Sequence, residues 1–336
     1  MANDYTNRPE YTATLDFQTI RIEEYIFGNK AGMGPIGWTE TLAQKDTVFL
    51  YDMIETFQGI SAWETERWAL SWCKLPSGKI GVTAIFPDTD LSGRSTVFGH
   101  TIILASDDFG RIAYNPFVLQ TLGFFSKNKD LPETLPPKTI DVPAEEVDRI
   151  CRQAVENRPE GFEQLFRAVL KGQKSLVGTA VPANRMINSL VCCLPPVARS
   201  QFTFSSLEVP QPSPDVGRGE KSRRRIFFAA VSEAVLGKLG PISGVEGYVF
   251  KDGQLTSTGK DVSIALPAGQ EKFYQTVKEL LAKGEDINAL YNMVDREYGR
   301  NLRPEELTAG LIELTNPEAV VCNHNELLSR RHRYGA

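Results

Sequence analysis

Polar and apolar positions alternate with period two over residues 14–27, where Phe17, Thr19, Arg21 and Glu23 interleave with Gln18, Ile20, Ile22 and Glu24. That alternation predicts a half-buried strand. A glycine-rich turn follows at 28–35, and no helical pattern opens directly after it. Residues 39–59 place Leu42, Val48, Phe49, Met53 and Phe57 so that helix and strand fit equally well. Three further strands are predicted at Trp68–Leu75, Ile80–Phe86 and Thr96–Ala105, joined by polar turns through Gly78 and Gly93. Short turns between alternating segments predict antiparallel hairpins. A short helix is expected over residues 114–125.

The stretch from Phe162 to Ser206 has a different rhythm. It reads as helix (FEQLFRAVLKG), strand (QKSLVGTA), helix (NRMINSLVCCLPPVAR) and strand (QFTFSS). Strands separated by one helix-length crossover predict a parallel α/β unit. The turn after the first of these strands, Gly178-Thr179-Ala180-Val181-Pro182, lacks the repeated glycines and the lysine of a phosphate loop. Beyond it, Arg225–Val231 reads as a buried strand, and Lys251-Asp252-Gly253-Gln254 as a hairpin turn. From Gln270 the period becomes helical, with Phe273, Val277, Leu280 and Leu281 on one face. Ile287, Leu290, Tyr291 and Val294 mark a second helix, and Arg303-Pro304-Glu305-Glu306 the start of a third.

Prolines set the organisation. Residues 126–143 hold Pro132, Pro136, Pro137 and Pro143, and such a stretch ends helices and central strands. The fold class expected is therefore α/β in two lobes. Residues 1–130 form an α+β lobe with an antiparallel sheet, and residues 144–336 an α/β lobe with a mixed sheet and a C-terminal helical tail. A second breaker, residues 210–225, ends in the basic run Lys221-Ser222-Arg223-Arg224-Arg225.

Composition narrows the classes. A net charge of −5 argues against nucleic acid as the partner. Five scattered cysteines without a CxxC spacing fit a reduced, cytoplasmic setting and no metal. The N-terminal residues lack the basic start and apolar run of a signal peptide, and no apolar run approaches the ~20 residues that span a bilayer. No cofactor is expected.

Candidate chemistry is sparse. His100 stands alone in an apolar strand; as a general base it would need an acid or nucleophile beside it, and as a structural residue it would bond a neighbouring loop. Cys322, His324 and His332 lack a fourth ligand of metal spacing. Trp63, Trp68 and Trp72 are either a stacking platform or core. Arg94 and Arg199 stand at turns. An exposed arginine there would reach a phosphate, whereas a buried one at Arg199 would cap helix carbonyls. Arg223, Arg224 and Arg225 suit an acidic partner through bidentate contacts.

Two motifs together carry a resemblance. One is Gly93-Arg94-Ser95-Thr96-Val97-Phe98-Gly99-His100-Thr101-Ile102-Ile103-Leu104. The other is Cys193-Leu194-Pro195-Pro196-Val197-Ala198-Arg199 followed by Phe202-Thr203-Phe204-Ser205. Over roughly residues 15–235 the chain resembles the N-terminal region of bacterial GTPase-associated adaptor proteins of conflict and defence systems. The helix-strand-helix-LPP order also looks like longin and DENN-type GTPase regulators. The resemblance implies a non-catalytic adaptor whose partner is a GTPase or an effector encoded nearby. The residues expected to bind the partner are Arg94, His100 and Arg199, which lie in these motifs, and Arg223, Arg224 and Arg225 of the basic run. An enzyme centred on His100 and a structural subunit of an oligomeric assembly are the alternatives.

Overall fold

The computed structural model describes residues 16–30, 32–55, 69–90, 92–179, 183–206, 227–232, 236, 245–252, 254–257, 260–285, 287–298 and 302–307. Among these residues the chain has an α/β fold built on one mixed sheet of thirteen strands.

The N-terminal half begins with β1 (Phe17–Asn29), which folds back on β2 (Met33–Thr39). Helix α1 (Gln44–Glu55) resolves the ambiguity of the segment after it. A meander follows, β3 (Ala69–Lys74), β4 (Ile80–Thr89) and β5 (Ser95–Leu104), antiparallel throughout, with β5 also antiparallel to β1. Two short helices follow, α2 (Ser106–Arg111) and α3 (Phe117–Thr121), of which α3 lies within residues 114–125, where a short helix was expected. The proline-rich connection contains β6 (Thr134–Leu135), parallel to β2, and β7 (Lys138–Pro143), antiparallel to β1. These strands cap the sheet's edge, where a missing proline N–H costs no ladder bond.

Helix α4 (Ala144–Glu156) starts directly after Pro143 with Glu145 and Glu146 in its first turn, where the positive end of the helix dipole favours acids. Then come α5 (Phe162–Leu170), β8 (Ser175–Thr179), α6 (Asn184–Cys192), the single turn α7 (Pro196–Arg199) and β9 (Phe204–Ser205). Strand β10 (Phe228–Ser232) inserts between β8 and β9, parallel to both. The helix-crossover strands are thus parallel, as the pattern implied, but are next-nearest neighbours. Strand β11 (Glu246–Lys251) extends the parallel part beside β8. It turns through Asp252, at φ +49°, into β12 (Gln254–Ser257), and β13 (Lys260–Asp261) ends that edge. Helices α8 (Ala268–Lys283) and α9 (Asn288–Tyr298) and a 3₁₀ turn at Pro304–Glu306 complete the described chain.

The antiparallel and parallel halves meet where β3 pairs with β9, Ser71 opposite Ser205 and Trp72 opposite Phe204. One row of directly paired residues runs through this junction: Glu24, Ile102, Val82, Trp72, Phe204, Phe228. Side chains of one row share a face, and from Ile102 to Phe228 these lie in a single buried cluster that continues to Val177 and Tyr248. Helices α2 to α6 and α8 contribute Phe109, Phe117, Val147, Leu165, Ile187 and Phe273 to that cluster. Each fully buried large side chain stabilises by roughly 1.5–3 kcal/mol before entropy is counted, so the row across the junction makes the two halves one cooperative core. The opposite face of the antiparallel half packs Tyr25, Phe27, Ile85 and Ile103 under Leu50, Met53 and Ile54 of α1.

Candidate functional site

Glu24 and His100 are diagonal neighbours on the main core face, because Glu24 pairs with Ile102 and His100 with Ile26. The strand period therefore carries both inward. His100 is 1% exposed. Its Nδ1 accepts a 3.0 Å hydrogen bond from the Ser126 backbone N–H, so the ring proton of the neutral form sits on Nε2. Nε2 lies 3.2 Å from Glu24 Oε1, off the axis of a good hydrogen bond. Phe125 closes the ring edge-on at a centroid distance of 5.6 Å. Lys138 of β7 reaches the other Glu24 oxygen at 2.5 Å. Burial pushes the Glu24 carboxyl up, but the contacts from His100 and Lys138 outweigh it and hold the group below its usual range. His100 thus has a carboxylate beside it. Its basic lone pair is occupied by a loop amide, and the pair is closed from solvent.

Arg94 lies at the other extreme. It sits on the β4–β5 hairpin, where Gly93 takes φ +80°. Asp90 organises the turn: its Oδ1 accepts from the N–H groups of Ser92 and Arg94 and from Ser92 Oγ, and its Oδ2 accepts from Arg94 Nε at 2.7 Å. Those donors, the Ser92 hydroxyl first, hold the Asp90 carboxyl far below its usual range. The Arg94 side chain remains 81% exposed.

Arg199 is buried at 2% exposure. Its Nε donates to Leu194 O at 2.8 Å, one terminal nitrogen to Ala113 O at 3.2 Å and the other to Cys192 O at 3.2 Å. It ties the end of α6 to the turn after α2, where Ala113 and Tyr114 stand at φ +54° and +52°. Beside it lies a polar knot that sequence reasoning missed. Asn115 Nδ2 contacts Cys192 Sγ at 3.3 Å and Cys151 Sγ at 3.7 Å, and Arg199 reaches Cys151 Sγ at 3.7 Å. The Cys192 thiol and the guanidinium lower the Cys151 thiol, while burial and the neighbouring sulfur raise Cys192. Both cysteines fall on apolar helix stripes, and that spacing gives no sign of polar partners.

Arg94, His100 and Arg199 therefore do not converge: one is at an exposed hairpin tip, one under a loop and one in the interior. Arg223, Arg224 and Arg225, the metal candidates Cys322, His324 and His332, and Trp63 and Trp68 lie outside the described residues. Trp72 is core, 1% exposed, with its ring 5.1 Å from Phe109.

A concave site opens elsewhere, between α1 and the β1–β2 hairpin. Tyr25 and Trp38 are direct cross-strand partners. Gln44, Thr47, Val48 and Tyr51 face them from successive turns of α1, and with Pro35 and Leu42 they line an open concavity of about 430 Å³. Tyr25 is fully buried, and among the described residues its hydroxyl has no hydrogen-bond partner. Burial, with Tyr51 and Asp52 adding to it, raises the Tyr25 phenol and keeps it protonated. Val48 is 55% exposed at the mouth.

Among the described residues no helix is long and apolar enough to cross a membrane. No protein-family model matches the chain, and no curated protein is significantly similar to it.

Proposed function

We propose that the chain is a non-catalytic adaptor that binds a partner protein, with a GTPase of a bacterial defence system as the partner class. The observation that supports this reading is the state of His100, the residue on which an enzymatic alternative rests. Its Nδ1 is held by the Ser126 amide, and its Nε2 faces Glu24 inside the core. A general base needs a lone pair within reach of a substrate proton, and here that lone pair holds a loop in place. The exposed guanidinium of Arg94, by contrast, stands on a turn braced by Asp90. A braced arginine loses less side-chain entropy when it meets a carboxylate or phosphate.

The test is co-expression of the full chain with the products of neighbouring genes, followed by affinity capture and interferometry with purified candidates, GTP-loaded and GDP-loaded. A stable complex with a GTPase is expected. Arg94→Ala should weaken it about tenfold, the size of one charge-assisted contact, without changing Tm. Failure of every neighbouring product to bind would overturn the reading. Hydrolytic or transferase turnover abolished by His100→Gln in a folded protein would replace it with the enzymatic one.

A further inference from the structure

The polar knot around Cys151 carries an inference independent of the adaptor reading. Cys151 of α4 and Cys192 of α6 meet in the seam between those helices, in a small cluster with Ala154. One nitrogen, Asn115 Nδ2, touches both sulfurs, Cys192 Sγ at 3.3 Å and Cys151 Sγ at 3.7 Å. The two thiols also hydrogen-bond each other. Arg199 brings its guanidinium within 3.7 Å of Cys151 Sγ and holds the Cys192 carbonyl at 3.2 Å. The seam lies close under the surface: Cys151 keeps 6% exposure and Ala154 8%, whereas the adjacent Cys193 has none.

These contacts give the two sulfurs different chemistry. An arginine stays protonated even when buried, and a buried charge needs a counter-charge. Burial opposes the Arg199 charge, and Cys151 is the foremost of the groups that offset it, with Cys192 next. Cys192, Asn115 and the guanidinium all converge on Cys151 Sγ, and hydrogen bonds to the charged form favour it. Cys192 keeps its proton, because burial and the neighbouring sulfur raise its thiol. A thiolate beside a protonated thiol suits a pair in which one sulfur attacks a peroxide and the other resolves the product. We propose that Cys151 and Cys192 are a modification site for hydroperoxides, closing to a reversible disulfide between α4 and α6. The Cys151 thiolate attacks one peroxide oxygen, the O–O bond breaks, and hydroxide leaves a sulfenic acid behind. Cys192 Sγ then attacks that sulfur. The S–S bond forms, the S–O bond breaks, and the departing hydroxide leaves as water with the Cys192 proton. The two sulfurs together lose two electrons, which reduce one hydrogen peroxide.

The experiment treats the intact chain at neutral pH with a small excess of hydrogen peroxide, quenches with N-ethylmaleimide and maps the peptides by mass spectrometry without reduction. The expected product is a link between Cys151 and Cys192 that dithiothreitol reverses. Cys151 should be oxidised about tenfold or more faster than Cys193, whose thiol burial pushes up to about 12. In Cys192→Ser the resolving sulfur is gone, so dimedone should trap a sulfenic acid on Cys151. In Cys151→Ser no dimedone adduct should form on Cys192. The wild-type map needs no variant, so a variant that misfolds leaves the test standing. The proposal is overturned if the folded chain forms no such link, if the link appears only in urea, or if Cys193 reacts as fast as Cys151.

Discussion

Replacing Arg199 with lysine separates a buried tether from a surface contact. The guanidinium holds three carbonyls, those of Leu194, Ala113 and Cys192, at 2.8–3.2 Å. A lysine ammonium is a single point donor on a flexible stem and keeps one of them. Two charge-assisted hydrogen bonds are lost, each worth about 1.5–3 kcal/mol. Arg199→Lys should therefore cost about 3–6 kcal/mol, with two carbonyls left unpaired in a site that water does not reach. At roughly 2 °C per kcal/mol for a chain of this size, Tm should fall by roughly 6–12 °C. Urea titrations followed by far-ultraviolet circular dichroism measure the loss as a lower midpoint at unchanged slope. A loss below about 1 kcal/mol would refute the tether, because exposed arginines away from special features change stability by at most about 0.5 kcal/mol.

Three further outcomes follow from particular contacts. Ala113→Gly should raise stability by about 1 kcal/mol, since φ +54° strains alanine and not glycine; thermal melts that show no rise would contradict it. Gly37→Ala should cost at least about 2 kcal/mol, because a Cβ there would lie 2.6 Å from the Pro132 carbonyl oxygen, a backbone atom that cannot rotate away; a wild-type melting curve would sink it. Glu24 has a folded pKa below its ordinary 4.5, so its contribution is present above that value and is lost as pH falls through the folded one. Glu24→Gln should thus be less stable than wild type at neutral pH by about 1–3 kcal/mol, with the gap narrowing below pH 4.5; a gap constant across acid titration would count against the buried pair.

The strand and helix order was largely legible from turns, breakers and apolar content, although β1 is buried on both faces from Ile22 to Gly28 and not half-buried as its alternation implied, because α1 covers the second face. Ile20 and Ile22 of β1 turn inward, and α4 begins at the proline and acids that announce it. Helix α1 was ambiguous for a physical reason. It exposes Val48 at the cavity mouth and buries Asp46, whose Oδ1 accepts the Ser77 N–H at 2.9 Å, so its stripe is inverted at two positions. Periodicity also says nothing of lateral order, and the insertion of β10 between β8 and β9 depends on contacts the pattern does not encode. The sites were least legible. Tyr25 reads as one more strand residue, and the concavity it borders exists only because Trp38 and α1 come together beside it. The two readings of Arg199, phosphate finger and carbonyl cap, differ only in burial, which the LPP turn does not specify.

The β3–β9 pairing also sets a schedule for synthesis. Strand β3 ends at Lys74, and its partner edge begins at Phe204. At roughly 5–20 residues per second, a ribosome needs on the order of ten seconds to deliver β9 after β3. Through that interval the meander carries an open strand edge with Trp72 on its inner face, a template for pairing with other nascent chains. Fragments that end before residue 204 keep that edge open permanently. The two residues of β9 are therefore the latch that ends the exposure, and their late arrival makes crowding on polysomes the condition under which this fold is most vulnerable.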